Sequence, residues 1–373
     1  MSRIATDLTH LARMSRRVLD RTGQGPELLV QFVNSRCDCN CAHCFDWQRR
    51  GSEVERGDLT LDEIERIARA LPRFFFVILT GGEPFLRLDL PDIALAYARH
   101  AQPRVIAIPT NGGHPEVIVP AVDRILASLP RATSLSINVS LDGVGELHDE
   151  IRGRKGQFAK ATETVRGLQE LAGRRDRLSV GVVSVISRRN QDHLEALMNC
   201  VLDDLQVKIW APFLVRGEPR DPAVKDVDLA RYREIAKALE RRILDRKYPE
   251  YRGFLGAKAN SAKNVVRRAL IERIVQDGQR VVPCSAGRQA AIIYANGTVQ
   301  PCELLDQPLG NLRDFDFDWA ALWQSAGAIE ARRVVDTKNC ACTHENILTT
   351  SIAFAWSQWP AILRWTLQFW LQP

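Results

Sequence analysis

Four cysteines lie within eight residues near the amino end of the 373-residue chain, at Cys37, Cys39, Cys41 and Cys44. Thiols this close in sequence rarely reach disulfide geometry, and clustered cysteines in a long chain without an export signal more often bind metal. The spacing of Cys37, Cys41 and Cys44 is C-x3-C-x2-C, which predicts an iron–sulfur cluster whose fourth iron has no protein ligand and binds a substrate or cofactor. A structural zinc site with Cys39 or His43 as fourth ligand is the alternative.

The chain around these cysteines alternates between β and α patterns. Thr60-Leu61-Asp62-Glu63 is a capping-box pattern that predicts a helix through Leu71. Such alternation predicts a parallel sheet with helices outside it, and the polar or glycine-rich turns follow the strands, where parallel α/β folds build their sites. The apolar runs of strand length are Leu28–Val33, Phe74–Leu79, Arg104–Pro109, Leu135–Leu141, Leu178–Ile186 and Val207–Val215.

Composition restricts the class of protein. Hydrophobic residues make up 45% of the chain and charged residues 26%, which excludes a disordered, collagenous or coiled-coil protein. The net charge of +6 comes from scattered basic residues, so no nucleic-acid partner is expected. Residues 1–23 are basic and have no apolar core run, so we expect a cytoplasmic protein.

The motifs, taken in order, resemble those of the radical S-adenosylmethionine (SAM) family. Besides the cysteine triple, Gly81-Gly82-Glu83-Pro84 matches the GGEP motif of that family after the second strand. Ser140-Leu141-Asp142-Gly143 with His148, Asp149 and Arg152 is similar to its SLDGxxxxHDxxR stretch. The resemblance covers about residues 28–215 and implies an α/β fold, a partial (β/α)6 TIM-like barrel with a small C-terminal iron–sulfur extension. His43 departs from the family, which often has an aromatic residue there.

The resemblance also implies a chemistry. SAM would chelate the open iron of a [4Fe–4S] cluster, and an electron from a donor such as flavodoxin or ferredoxin would cleave it to methionine and a 5′-deoxyadenosyl radical. Gly82 would let the backbone approach SAM, and Glu83 would accept a hydrogen bond from its amino group. Ser140 and Asp142 would lie near the ribose, and Arg152 would pair with the carboxylate. The alternatives are plain turns at the glycines and a surface arginine.

The second cysteine group resembles the SPASM or twitch extension of many radical SAM enzymes. Cys284, a hairpin turn at Asn296-Gly297 and then Cys302 match its first half. By that resemblance Cys340 and Cys342 would complete the four ligands of one auxiliary [4Fe–4S] cluster, although the family usually has C-x2-C where this chain has C-x-C. Four thiolates also suit zinc, so that alternative stays open. His344 is a further candidate ligand, with a nearby polar role favoured.

These patterns divide the chain into five predicted segments. The last segment carries one charged residue, Arg364, and four of the eight tryptophans of the protein. This composition predicts a helix at a membrane interface, or one that covers the barrel mouth or forms a dimer contact. The segments are a basic amphipathic helix over 1–27, a radical SAM core over 28–215, a helical linker over 216–279, a SPASM/twitch-like region over 280–346 and an apolar tail over 347–373.

The sequence therefore predicts a radical SAM enzyme that abstracts hydrogen from an unidentified small-molecule or lipid-like substrate. Two alternatives remain: a radical SAM/SPASM peptide maturase, and a non-catalytic zinc or iron–sulfur protein. No peptide-docking module precedes the first strand, which favours a non-peptide substrate. We expect a cytoplasmic enzyme, with the tail as its contact with the inner membrane face.

Overall fold

The computed structural model describes residues 25–49, 57–244 and 257–371. Its centre is a nine-stranded sheet with the order β6-β5-β4-β3-β2-β1-β7-β8-β9, in which neighbours from β6 through β1 to β7 are parallel. Most of the helix predicted over 1–27 lies outside the described residues. The strands are β1 Leu28–Asn34, β2 Phe76–Gly81, β3 Val105–Thr110, β4 Ser134–Ser140, β5 Leu178–Ile186, β6 Trp210–Leu214, β7 Ala290–Ile293, β8 Thr298–Gln300 and β9 Gly310–Asn311.

Helices connect the parallel strands and continue after them. The predicted capping box is present, because Thr60 accepts a hydrogen bond from the Glu63 backbone while the Glu63 carboxylate accepts one from the Thr60 backbone. The helices are α1 Leu61–Ala70, α2 Leu90–His100, α3 Pro115–Ser128, α4 Glu146–Arg152, α5 Gln157–Arg174, α6 Leu194–Asn199, α7 Leu229–Leu244, α8 Ala257–Asp277, α9 Trp319–Trp323, α10 Ala326–Thr337, α11 Glu345–Phe354 and α12 Trp359–Leu371.

The strands are apolar on both faces because each face is buried against a different core. On β1, Leu29 and Val33 belong to the core between sheet and helices, whereas Val30 and Phe32 belong to a second apolar cluster on the opposite face. Burial on both faces is what turns a parallel strand into a continuous apolar run. The prediction of an α/β fold with an open, partial barrel is confirmed.

The C-terminal extension is joined to the barrel by a strand. β7 pairs in parallel with β1, with Leu28 opposite Ala290 and Gln31 opposite Ile293. β7 and β8 form the predicted hairpin, and Gly297 in its turn has a φ of +86°, which favours glycine. The sequence did not indicate the pairing with β1, because β7 is a four-residue apolar segment with no helix directly before it.

The segment predicted as an apolar tail over 347–373 contains most of α11 and all of α12, which has Pro360 in its first turn. One side of it packs along α8, where the Lys258 ammonium donates a hydrogen bond to the Phe369 carbonyl at 2.8 Å. The other side leaves Leu363 59% and Leu367 50% exposed. In the part of the chain that the structure describes, no helix is long and apolar enough to span a membrane.

A bidentate ion pair ties the barrel to the C-terminal extension. Arg313 donates hydrogen bonds to both carboxylate oxygens of Glu63, at 2.7 and 2.8 Å, and lowers the pKa of Glu63 from 4.5 to about 2. We expect Glu63→Gln to reduce the free energy of unfolding at pH 7 by about 1–2 kcal/mol, in urea denaturation followed by circular dichroism. Because the carboxylate is ionised in the folded chain down to low pH, the difference should shrink as the pH falls below about 4.5.

Glu65→Gln is the matched control for this ion pair. Glu65 lies on the same helix and pairs with Arg69 one turn away, at 2.8 Å. Such an exposed pair contributes only about 0.3–0.5 kcal/mol. Equal losses for the two variants would mean that the Glu63–Arg313 pair does not stabilise the junction.

Candidate functional site

The loop that carries the first cysteine group leaves the carboxyl end of β1 and rests on α4. The Asn40 amide donates to the Arg152 carbonyl at 2.8 Å, and the Ala42 amide donates to the Ile151 carbonyl at 3.1 Å. Cys37, Cys41 and Cys44 all line one large cavity. The predicted ligands are thus held on one short loop by backbone contacts.

The glycine pair after β2 packs against this loop. The Gly82 amide donates to the Asn34 carbonyl at 3.2 Å, and the Glu83 amide donates to the Arg36 carbonyl at 2.7 Å. A Cβ atom at Gly82 would overlap the Arg36 carbonyl, and Gly81 has a φ of +139°. Glycine is therefore required for the close approach of two backbone segments, and its predicted role beside SAM remains a prediction.

Glu83 is a buried carboxylate that organises the turn after β3. It accepts hydrogen bonds from the Thr110 hydroxyl at 2.8 Å, the Asn111 amide at 2.6 Å and the Phe85 amide at 3.1 Å. Burial raises the pKa of Glu83 to about 7, although these donors act in the opposite direction. The side chain also lines the cavity, in a position suited to the amino group predicted for it.

Asp38 anchors the cysteine loop from the other side, a contact that the sequence motifs did not reveal. Its carboxylate accepts hydrogen bonds from the side-chain amide of Asn111 and from the His114 imidazole, each at 2.7 Å, and from the Arg154 guanidinium. These partners lower the pKa of Asp38, against the effect of its partial burial. The signal available in the sequence was an acidic residue between the predicted ligands, with His114 and Arg154 in the loops that follow β3 and α4.

Asp142 and Arg152, which the sequence assigned to the ribose and the carboxylate of SAM, are brought together. The Arg152 guanidinium lies 2.6 Å from an Asp142 oxygen, and the other oxygen accepts a hydrogen bond from the Val185 amide at 2.7 Å. His148 accepts a hydrogen bond from the Asp142 amide, and burial lowers its pKa to about 4. Ser140 lies at the end of β4 and lines the cavity, as Arg152 does.

The Arg152 guanidinium also stabilises a thiolate in the cysteine loop. A second nitrogen of Arg152 lies 3.7 Å from the sulfur of Cys41, which is 4% exposed. A hydrogen bond from Cys39 and the charge of Arg152 lower the pKa of Cys41, whereas the pKa of Cys39 is raised. Because a thiolate is the form that binds metal, the positive charge of Arg152 beside Cys41 favours the form that a ligand needs.

The second cysteine group also converges. Burial raises the pKa of Cys302 to about 12, and the charges of Cys342 and Cys284 raise it further. The charge of Cys340 in turn raises the pKa values of Cys284 and Cys342. Backbone amides of the region donate to the sulfurs, including His344 to Cys342 at 3.3 Å. Mutually repelling thiolates need positive charge between them, so this donor set fits an iron–sulfur cluster. Among the described residues, no three His, Cys, Asp or Glu side chains are arranged around one metal ion.

A buried charged chain connects the two cysteine groups. Glu303, next to Cys302, lies 2.7 Å from His344 and 3.0 Å from Arg216, whose guanidinium lies over the ring of Phe45 at 5.0 Å. Burial alone would raise the pKa of Glu303, but His344 and Arg216 lower it to about 2. His344 therefore contacts Glu303, and the polar role that the sequence analysis favoured for it stays a prediction.

The cavity that unites these residues occupies the open interior of the barrel. Its volume is about 1140 Å³, and it extends from the cysteine loop to α8 and α11. Single small-molecule pockets occupy roughly 300–1,000 Å³, so the space is large enough for a cofactor and a substrate together.

Comparisons with known proteins agree with this arrangement. Residues 32–201 match the radical SAM superfamily model, and residues 284–344 match the SPASM iron–sulfur cluster-binding domain. The Fe-coproporphyrin III synthase of Methanosarcina barkeri is 31% identical over 48% of this chain, a match that spans only 41% of that relative. The AdoMet-dependent heme synthase of the same organism is 27% identical over 81% of this chain and 83% of its own length.

The fold agrees as well. The crystal structure of Streptococcus suis SuiB bound to precursor peptide SuiA covers 92% of this chain and 75% of its own with a TM-score of 0.62, at 17% identity. The cofactors of the family are a [4Fe–4S] cluster and SAM, with further iron–sulfur in the SPASM region. The chain belongs to the radical SAM superfamily of enzymes and carries a C-terminal SPASM iron–sulfur region.

Proposed function

We propose that this enzyme holds a catalytic [4Fe–4S] cluster through Cys37, Cys41 and Cys44 and removes hydrogen from a small molecule in the barrel cavity. The observation that carries the proposal is the convergence of these thiols with Gly82 and Glu83 on one cavity of about 1140 Å³. When bound, the cluster and SAM supply the one-electron cleavage of SAM to methionine and a 5′-deoxyadenosyl radical. We propose a flavodoxin or ferredoxin as electron donor.

The residues of the chain orient SAM and shield the site. The Glu83 carboxylate accepts a hydrogen bond from the SAM amino group, and Ser140 contacts the ribose from the end of β4. Arg152 orients the SAM carboxylate while Asp142 fixes the guanidinium from behind. The apolar side chains of the strands keep water away from the reacting groups, and this protection prevents side reactions of the radical.

The substrate we favour is a tetrapyrrole. Two curated relatives are named as synthases of Fe-coproporphyrin III and of heme, both tetrapyrroles. The cavity combines a volume above that of ordinary single-ligand pockets with an apolar strand wall, which suits a large flat ring. The peptide-maturase alternative has the support of the fold alone, since SuiB is only 17% identical.

Anaerobic reconstitution with iron, sulfide, dithionite and SAM tests the function. We expect 5′-deoxyadenosine by mass spectrometry, and deuterium transfer from a labelled tetrapyrrole into it. Deuterium from a labelled peptide instead would favour the maturase. No 5′-deoxyadenosine from protein with its full iron content would refute the proposal.

We propose separately that the enzyme is cytoplasmic and that α12 contacts the inner face of the membrane. It rests on the exposed apolar side of α12, where Leu363 and Leu367 lie one turn apart. Flotation with anionic vesicles should recover the native chain and lose the double variant Leu363→Gln, Leu367→Gln. Equal recovery of both proteins would remove this role from the tail.

A further inference from the structure

Basic side chains surround the second cysteine group on the outside of the C-terminal extension. Two of them lie on α10, one follows that helix, and two lie in the segments before and after Cys284. None of the five lines the barrel cavity. We call this set the α10 basic surface, and its members are Arg280, Arg288, Arg332, Arg333 and Lys338.

Hydrogen bonds show that the α10 basic surface is continuous. The Arg280 guanidinium donates to the backbone carbonyl of Asp336 at 2.8 Å, in the last turn of α10. Arg288 donates to both carboxylate oxygens of the same residue, at 2.9 and 2.7 Å. Arg332 donates to the carbonyl of Gly287, the residue before Arg288, at 2.7 Å. These contacts hold side chains from three segments of the chain side by side.

The surface keeps a net positive charge after its ion pairs are counted. Glu330 pairs with Arg333 at 2.6 Å, and Asp336 pairs with Arg288 at 2.7 Å. Five basic and two acidic side chains therefore leave a net charge of +3. The basic side chains without a carboxylate partner in the described part of the chain are Arg280, Arg332 and Lys338.

The α10 basic surface adjoins the auxiliary cysteines directly. The Cys340 amide donates to the Lys338 carbonyl at 3.1 Å, and Arg288 lies in the turn that follows Cys284. Cys340 itself is half-buried, and the residues on either side of it are exposed. A protein that rests on this surface therefore lies next to the auxiliary cysteine group and not next to the first one.

We propose that the α10 basic surface docks an acidic one-electron carrier protein beside the auxiliary cysteines. This inference rests on the proposed function, because it assigns a docking site to the electron donor named there. Complementary charge steers such encounters, and the interfaces of electron-transfer partners are small. A reduced carrier bound here gives one electron to the auxiliary cluster, so that the carrier is oxidised, the cluster is reduced and no covalent bond changes.

Binding of flavodoxin to the reconstituted holoenzyme tests the inference without turnover. Flavodoxin is an acidic carrier with FMN, and cytochrome c is a small basic one-electron carrier that serves as the probe of opposite charge. We expect flavodoxin to bind at low ionic strength and cytochrome c not to bind, as measured by isothermal titration calorimetry. The complex should dissociate as the salt concentration rises to about 0.5 M, because salt screens exposed charges.

Charge reversal locates the docking site. We expect the double variant Arg333→Glu, Lys338→Glu to raise the Kd for flavodoxin about tenfold or more. Both side chains are exposed, and circular dichroism and iron analysis check that the variant keeps its fold and its clusters. Arg220→Glu is the matched control, since Arg220 is an exposed arginine in the depression beside Cys37, the rival docking site at the first cysteine group.

A comparison of two reductants adds a second measurement. Dithionite is a small ion that needs no docking surface, whereas reduced flavodoxin must dock before it transfers an electron. We expect the double variant to form 5′-deoxyadenosine at the native rate with dithionite and more slowly than the native enzyme with reduced flavodoxin. Equal rates of the two proteins with reduced flavodoxin would overturn the inference.

The outcomes of the binding experiment separate the two proposals. The inference is wrong if flavodoxin does not bind, if cytochrome c binds, or if Arg220→Glu weakens flavodoxin binding and the double variant does not. Binding of a short RNA in place of flavodoxin would assign the surface to nucleic acid and also overturn it. If flavodoxin binds in the expected pattern but dithionite yields no 5′-deoxyadenosine, the proposed function fails while the inference stands.

Discussion

Replacing Cys41 with alanine is expected to abolish 5′-deoxyadenosine formation and to reduce the iron content from about eight to about four atoms per chain. The sulfur of Cys41 is the most deeply buried of the three proposed ligands, and Arg152 stabilises its thiolate. A cluster held at three corners has no spare protein ligand, so loss of one thiolate should release it. Iron analysis of the anaerobically reconstituted protein and mass spectrometry of its products measure both effects.

Cys39→Ala is the informative comparison. Cys39 is as buried as Cys41, at 5% exposed, and lies in the same loop, but it stands outside the C-x3-C-x2-C spacing, and hydrogen bonds with Cys37 and Cys41 raise its pKa. We expect this variant to retain about eight irons and the ability to cleave SAM. Loss of iron equal to that of Cys41→Ala would place Cys39 in the ligand set and contradict the three-cysteine assignment. Cys200→Ala controls for thiol loss in general, because Cys200 is a buried cysteine directly after α6 and does not line the cavity.

The barrel was predictable because burial on both faces leaves a continuous apolar run in each parallel strand. β5 has the predicted bounds, Leu178–Ile186, and β1 extends one residue beyond the prediction. The last barrel strand begins at Trp210, three residues later than predicted, because Val207 is buried by side-chain packing without joining the ladder. Several motif residues line one cavity because they lie at or just after the carboxyl ends of parallel strands, which share one edge of the sheet: Cys37, Cys41, Cys44, Gly82, Glu83 and Ser140.

Partners of charged side chains were not predictable from spacing. Asp142 and Arg152 are ten residues apart and meet because α4 turns back over the end of β4. Lys263 and Arg267 lie in the segment predicted only as a helical linker, because a lone sequence gives the period of a helix but not the direction in which each face points. Only the packing of α8 against α11 and α12, with the Arg267 guanidinium 5.8 Å from the ring of Phe213 in β6, shows that this face is internal.

The contact between the two cysteine groups depends on long-range packing in the same way. Arg216 follows β6, whereas Glu303 and His344 belong to the C-terminal extension, so no local pattern relates them. Phe45 is adjacent to Cys44, and the Arg216 guanidinium lies over the face of its ring. Because Glu303 is next to Cys302 and His344 is near Cys342, these contacts run from the loop of one proposed cluster site to the loop of the other.

Cys302→Ala is expected to remove only the auxiliary iron, leaving about four atoms per chain, while 5′-deoxyadenosine still forms. The two proposed sites have separate thiol sets, and the charges of Cys342 and Cys284 act on Cys302. The yield of substrate-derived product should fall far more than the yield of 5′-deoxyadenosine, because an auxiliary cluster saturated by four thiolates serves electron relay or structural support. Iron analysis, 5′-deoxyadenosine and substrate-derived product are measured on one preparation. Unchanged iron would exclude Cys302 as a ligand, and loss of SAM cleavage with four irons retained would show that the auxiliary site is needed for the first electron transfer.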